Sequence, residues 1–102
     1  MLVELNINPL GRGTHLSHDL GEVLKVIDDA GVPYLLTPLG TCIEGEWDQV
    51  MPLIKRCHEM ARSMSPHVFT TLRIEDEEGA TNKIKENGAS VEHAAGRSLK
   101  RC

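Results

Sequence analysis

The segment from Leu36 to Asp48 constrains the fold more than any other part of this chain. Its thirteen residues read LTPLGTCIEGEWD. Apolar and β-branched residues flank the turn formers Pro38 and Gly40, which predicts two short strands joined by a tight turn. Gly45 lies where the second strand should end, and a helical pattern begins at Trp47. The segment therefore predicts strand, turn, strand and helix in immediate succession.

The N-terminal third predicts a strand followed by a helix. Residues alternate strictly between apolar and polar from Leu2 to Asn8, as in a half-buried strand. A glycine-containing loop follows, and Ser17 is the predicted cap of the helix after it. Gly31 stands where a left-handed terminator is expected, and Pro33 does not continue a helix.

The remaining elements follow from the same periodicities. Strands are predicted at Tyr34–Thr37 and Thr41–Glu44, and a second helix at Trp47–Met64 with Trp47 as a core anchor. A fourth strand is predicted at His67–Glu75. A third helix, capped by Thr81 and reaching about Leu99, completes the pattern, although its apolar positions are sparse.

The predicted order is β-α-β-β-α-β plus a terminal helix. Because each crossover should be right-handed, this order predicts an α+β, ferredoxin-like sandwich with an antiparallel four-stranded sheet. We expect a single domain over residues 1–102, with a core at 1–76 and a C-terminal helical tail at 80–102. Both main helices should cover one face of the sheet. The other face would carry Glu4, Asn6, Phe69, Thr71 and Arg73.

Composition excludes several classes of function. Aromatic residues make up 3% of the chain and the formal charge is -4, which disfavours nucleic acid as a partner. The three cysteines have no paired spacing, which disfavours a disulfide framework, and Cys102 is expected to be exposed and able to crosslink two subunits. With neither a signal-peptide pattern nor a membrane-spanning run, we expect a cytoplasmic protein.

Two polar loops are the candidate binding elements. Gly11–Ser17 lies between a strand and a helix, where glycines and free N–H groups can approach a ligand. In the second loop, the hydroxyls of Thr37 and Thr41 and the carboxylate of Glu44 can bond a polar or cationic ring. The alternatives remain a plain capped loop in the first case and a turn with solvent-facing acids in the second.

The histidines do not predict a metal site or a clear catalytic centre. His15 and His18 can approach each other, but further ligands at a suitable spacing are lacking. An enzyme that uses His15 or His18 with Glu44 is the weakest hypothesis, because no nucleophile is identifiable. We therefore predict no catalytic residues, no metal and no cofactor.

Residues 1 to 76 resemble the small thiamine-binding-protein family. The resemblance depends mainly on the Thr-Pro-Leu-Gly-Thr and Glu-Gly-Glu-Trp runs of 37–47, with support from the glycine-rich loop. It implies a ferredoxin-like subunit that assembles as a dimer or tetramer and binds thiamine or its hydroxymethylpyrimidine moiety without turnover. The site residues that it implies are Thr14, Ser17, Thr37, Gly40, Thr41 and Glu44.

One alternative function remains open at this stage. The open sheet face predicts a regulatory or protein-interaction module that docks a partner protein, with any small ligand tuning that contact.

Overall fold

The order of elements agrees with the prediction. The computed structural model describes residues 1–101, so Cys102 and the crosslink predicted for it lie outside the described residues. The elements are β1 (Leu2–Pro9), a 3₁₀ turn (Gly13–His15), α1 (Leu16–Asp29), β2 (Tyr34–Thr37), β3 (Gly40–Glu44), α2 (Trp47–Met64), β4 (Val68–Glu75) and α3 (Lys83–Ala95).

The four strands form one antiparallel sheet in the order β2-β3-β1-β4. Val3 pairs with Ile43 and with Ile74, so these residues share the face that α1 and α2 cover. With two βαβ units interleaved in this order, the chain has the predicted ferredoxin-like α+β fold.

Aliphatic side chains fill the core. The alternation of β1 buries Val3, Leu5 and Ile7, while α1 contributes Val23 and Ile27. The remaining buried hydrophobic residues come from β3 and α2: Ile43, Val50, Leu53, Ile54, Cys57 and Ala61. Because the chain has so few aromatic residues, branched aliphatics supply the buried volume.

Two predictions about the helix starts are wrong. Trp47 is 55% exposed and is not a core anchor. Trp47 has the spacing of the apolar positions of α2, but as the first residue of the helix it lies beyond the edge of the core. Ser17 does not cap α1, because the preceding 3₁₀ turn makes His15 the N-cap and places Ser17 inside the helix.

The third helix is shorter than predicted at both ends. Asn82, in a left-handed conformation with φ 55°, takes the N-cap position that was predicted for Thr81. Gly96, with φ 72°, ends the helix after Ala95, well before Leu99. Glycine adopts this backbone conformation without steric cost, so the chain stops being helical there.

α3 begins against the face of the sheet that α1 and α2 leave open. The N–H groups of Lys83 and Ile84 donate to the two carboxylate oxygens of Glu44, at 2.5 and 3.2 Å. The ammonium of Lys83 also lies 3.0 Å from Glu75 on β4. None of the residues of α3 is buried, so polar contacts hold the start of this helix in place.

Candidate functional site

A cavity of about 470 Å³ lies between α1 and the β2–β3 hairpin. It is bordered by β1 on the sheet, by the first three turns of α1 and by the hairpin turn. The lining residues are Leu5, Asn6, Ile7, Ser17, Leu20, Gly21, Val23, Leu24, Ile27, Leu36, Thr37, Pro38, Leu39, Gly40 and Thr41.

The cavity exists because α1 does not close over the edge of the sheet. Gly21 has no side chain to fill the space between α1 and β2. Leu36 and Leu39, on the hairpin, remain 58% and 85% exposed although both line the cavity. Large apolar side chains exposed at the mouth of a cavity are typical of binding sites.

Hydrogen bonds hold the hairpin turn in its position. The Thr37 hydroxyl donates to the carbonyl of Gly40 at 2.9 Å, and the Asn6 amide donates to the carbonyl of Leu39 at 2.7 Å. A Cβ atom at Gly40 would lie 3.0 Å from the carbonyl oxygen of Leu5, so glycine allows the hairpin to approach β1 closely. Thr37, Gly40 and Asn6 therefore shape the mouth of the cavity.

Thr41 supplies an available polar group inside the cavity. The residue is only 4% exposed and lies on the helix-covered face, opposite Leu5. Its hydroxyl has no hydrogen-bond partner within residues 1–101. In the same range, every fully buried side-chain polar atom has a partner, so the unpaired hydroxyl of Thr41 must be partly accessible from the cavity. Water or a ligand in the cavity must satisfy this hydroxyl, since an unpaired buried group costs about 1–3 kcal/mol.

The structure brings together four of the six predicted site residues. Ser17, Thr37, Gly40 and Thr41 all line the cavity. Thr14 is exposed in the 3₁₀ turn and does not contribute to the lining.

Glu44 also lies outside the cavity. It is three positions from Thr41 on the same strand, so the two side chains point to opposite faces of the sheet. Only 8% of Glu44 is exposed, and its carboxylate accepts the two N–H groups at the start of α3. A carboxylate at a helix N-terminus is also favoured by the helix dipole.

Sequence reasoning missed two residues beside the site. Asn6 was predicted only for the open face, although its side chain reaches the hairpin turn. Asp19 is fully buried in the first turns of α1, where Arg12 Nε lies 2.6 Å from its carboxylate. This hydrogen bond lowers the pKa of Asp19, despite its burial, and raises the pKa of Arg12.

Asp19 fixes the loop that leads from β1 into α1. The guanidinium of Arg12 contacts both carboxylate oxygens, and His18 Nδ1 lies 3.4 Å from one of them. The spacing of Asp19, Val23 and Ile27 at intervals of four places Asp19 on the core stripe of the helix, and this spacing is the signal that could have revealed it.

The histidines of the first loop do not form a cluster with Glu44. His15 is exposed at the end of the 3₁₀ turn, and His18 contacts Asp19 and Glu22. Over the described residues, no group of three or more His, Cys, Asp or Glu side chains is arranged to hold a metal ion. Within the same residues, every helix is too short or too polar to span a lipid bilayer.

Residues 3–92 match the family model described as thiamine-binding protein. The chain belongs to this family. The match extends beyond residue 76, where the resemblance seen in the sequence ended, and includes most of α3. The family is therefore established.

Relatives of the chain occur in bacteria and archaea. A UPF0045 protein of Synechocystis is 30% identical over 93 residues, which cover 90% of this chain and 77% of the relative. A UPF0045 protein of Methanothermobacter thermautotrophicus is 32% identical over 91 residues, with 86% and 92% covered.

Solved structures share the fold. A hypothetical protein of Methanocaldococcus jannaschii superposes with a TM-score of 0.81 at 22% identity, over 88% of this chain and 93% of that one. A Thermotoga maritima protein proposed to act in thiamine biosynthesis or salvage superposes with a TM-score of 0.79 at 20% identity, over 88% and 96%. At these identities the likeness establishes the fold alone.

Proposed function

We propose that this chain binds thiamine or its hydroxymethylpyrimidine moiety and releases it unchanged. The observation that carries the proposal is the cavity between α1 and the hairpin, with the unpartnered hydroxyl of Thr41 inside it. Membership of the thiamine-binding protein family supports the same ligand class. The cavity volume also falls within the range of about 300–1,000 Å³ that is typical of small-molecule sites.

The proposed contacts follow from the lining. A flat ring would pack between Leu20 on α1 and Leu36 on β2, and its polar edge would meet the hydroxyls of Thr41 and Ser17. Gly40 would keep the hairpin close enough to β1 to complete the wall. Burial of apolar ring surface contributes about 25 cal/mol per Å².

The other three predicted contact residues either already form hydrogen bonds within the protein or lie outside the cavity. The Thr37 hydroxyl already donates to Gly40, so it would act by accepting a hydrogen bond or by shaping the turn. Thr14 and Glu44 remain predicted ligand contacts, although both lie outside the cavity. For Glu44, a ligand would have to share a carboxylate that α3 already uses.

A binding role without turnover fits the chemistry of the neighbouring groups. Catalysis by a nucleophile requires an activated hydroxyl or thiol beside a base. Cys57 is fully buried in the core, and burial raises the pKa of its thiol to about 11. Asp19, a buried carboxylate on α1, accepts a hydrogen bond from Arg12 Nε and is therefore already paired.

Titration calorimetry of the purified protein with thiamine and with hydroxymethylpyrimidine tests this proposal. We expect saturable binding of at least one compound, and Thr41→Val should weaken it at least fivefold, because one hydrogen bond contributes about 1 kcal/mol. Thr71→Val is the matched control, since Thr71 is exposed on the opposite face of the sheet.

Two outcomes would refute the proposal. One is the absence of binding to either compound by a protein whose circular dichroism shows an intact fold. The other is a Thr41→Val variant that binds as tightly as the wild type, because the hydroxyl would then have no part in the site.

A second candidate function is an interaction module that acts through the open sheet face. Phe69 is 59% exposed on the part of this face formed by the edge strand β4, beside the exposed Thr71 and Arg73. An exposed ring surrounded by polar side chains is typical of a contact surface. Self-association as a dimer or tetramer is the simplest use of this face, and it is compatible with ligand binding on the other side of the sheet.

A further inference from the structure

The hairpin turn at the mouth of the cavity, residues 37–40, extends beyond the ladder that joins the hairpin to β1. The β1–β3 pairing ends at Leu5 and Thr41, while the β2–β3 pairing continues to Thr37 and Gly40. Beyond Leu5, β1 continues against β4 on its other side. The turn therefore lies past the last ladder pair, and its position against β1 depends on side chains.

The Asn6 side chain supplies that contact from the open face of the sheet. Leu5 and Ile7 are buried in the core, so strand alternation directs Asn6 between them to the opposite face. Its amide donates to the Leu39 carbonyl at 2.7 Å, in an exposed position. Leu39 also lines the cavity. One residue of the turn is thus bonded from the open face and borders the cavity on the helix-covered side.

Hydrogen bonds within the turn join its residues into one unit. The Thr37 hydroxyl donates to the Gly40 carbonyl at 2.9 Å and accepts from the Leu39 N–H at 3.4 Å. A single net hydrogen bond shifts an equilibrium about fivefold, so the exposed bond from Asn6 keeps a released turn in the minority. A contact that favours the released turn can make it the major state.

We propose that the Asn6–Leu39 hydrogen bond lets a partner protein on the open face regulate the cavity on the other side of the sheet. A partner oxygen that accepts the Asn6 amide releases the turn and moves Leu39 away from the cavity wall. Ligand affinity then falls with the fraction of protein whose wall is complete. This inference rests on the proposed function and makes Asn6 a positioning residue of that site. Because coupling between sites is reciprocal, a bound ligand would oppose the release.

Thr71 marks the place of such an acceptor. It is the residue of β4 that pairs with Asn6, and it is exposed. Side chains directly opposite each other on antiparallel strands have Cβ atoms about 4.5–5.5 Å apart. A carboxylate introduced at position 71 is therefore within reach of the Asn6 amide and represents the acceptor of a docked partner.

The first test compares Thr71→Glu with Thr71→Lys. Thiamine and hydroxymethylpyrimidine are titrated by calorimetry in 500 mM NaCl, which screens long-range effects of the new charge. Lysine is the control because its ammonium cannot accept a hydrogen bond. We expect Thr71→Glu to weaken binding by about threefold or more and Thr71→Lys to stay within about twofold of wild type. In an Asn6→Ala background, Thr71→Glu should have no further effect, because its target is absent.

The second test measures the turn without any ligand. Backbone ¹⁵N relaxation of the full chain reports on the mobility of Leu39 and Gly40. Asn6→Asp keeps the side-chain size but replaces the donor with an acceptor, so both amides should become more mobile and ligand binding should weaken about fivefold. Asn6→Gln retains the amide and should restore both properties. Asn8→Asp, an exposed position on the same face, should change neither.

The outcomes distinguish this inference from the function on which it rests. If the wild type binds a ligand and Thr71→Glu binds as tightly as Thr71→Lys, the inference is wrong while the proposed function stands. A turn in Asn6→Asp that is as rigid as in wild type also overturns it, whatever the ligand. If neither compound binds to the folded wild type, the proposed function fails and the regulation inferred from it fails as well.

Discussion

Glu44 ties the C-terminal helix to the sheet, and its replacement by glutamine tests this role. The carboxylate accepts the N–H groups of Lys83 and Ile84 at 2.5 and 3.2 Å. Glutamine keeps one acceptor oxygen, loses the negative charge and turns an NH₂ group toward one of the two donors. The change therefore removes one hydrogen bond and the favourable interaction with the helix dipole.

The expected magnitude follows from similar contacts at helix N-termini. Loss of a capping side chain costs about 0.5–2 kcal/mol, and hydrogen bonds to charged groups lie at the upper end of such values. We expect α3 docking to weaken by about 1–2 kcal/mol, which corresponds to a roughly 5- to 30-fold faster amide exchange in Lys83–Ala95. Exchange in the core strand β1 should not change.

Hydrogen exchange followed by mass spectrometry is the assay, with Glu4→Gln as the control. Glu4 is an exposed glutamate on the same face of the sheet, so its replacement changes the net charge equally. Unchanged exchange in α3 of the Glu44→Gln variant would refute the proposed role of this carboxylate. If ligand binding is lost while α3 exchange is unchanged, Glu44 acts as a ligand contact instead.

Two further predictions concern Asp19 and Phe69. Because the Arg12 hydrogen bond lowers the pKa of Asp19, its stabilising effect should be present above about pH 4, the unfolded-state value, and be lost as the pH falls through the folded-state pKa. Urea unfolding between pH 3 and 7 should therefore show Asp19→Asn to be less stable than wild type at pH 7, with a difference that shrinks below pH 4; a constant difference would contradict this reasoning. If the open face is the contact surface of a self-associated form, Phe69→Glu should convert that form to monomer in sedimentation analysis, whereas the control Thr71→Ser should not. If the wild type is oligomeric and Phe69→Glu has the same mass, this face is excluded as the contact surface.

Local patterns predicted the elements well where the core enforces them. The alternation of β1 and the spacing of Val50, Ile54 and Cys57 on α2 depend on which residues face the core, and these periodicities are visible in the sequence. The predictions were less accurate at the ends of elements. Trp47 follows the α2 stripe but lies where no neighbouring element covers it, a condition that periodicity does not report.

The candidate site was predicted in part for the same reason. Thr37, Gly40 and Thr41 belong to one hairpin, so short-range sequence places them together, and Ser17 joins them across the gap beside α1. Glu44 was grouped with them by proximity in the chain. Strand alternation places its side chain on the other face. There, backbone N–H groups at the start of α3, about forty residues further along the chain, donate hydrogen bonds to its carboxylate.

The sequence by itself determined the order of strands and helices, the faces that are apolar and the family to which the chain belongs. These properties depend on neighbours along the chain and on the periods of strand and helix. Only the tertiary structure decided that α1 leaves a cavity beside β2, that Thr41 has a free hydroxyl in it, and that the carboxylates of Asp19 and Glu44 bind groups outside it. These features depend on which distant groups meet, since each buried polar group takes the partner that the packing of whole elements brings within reach.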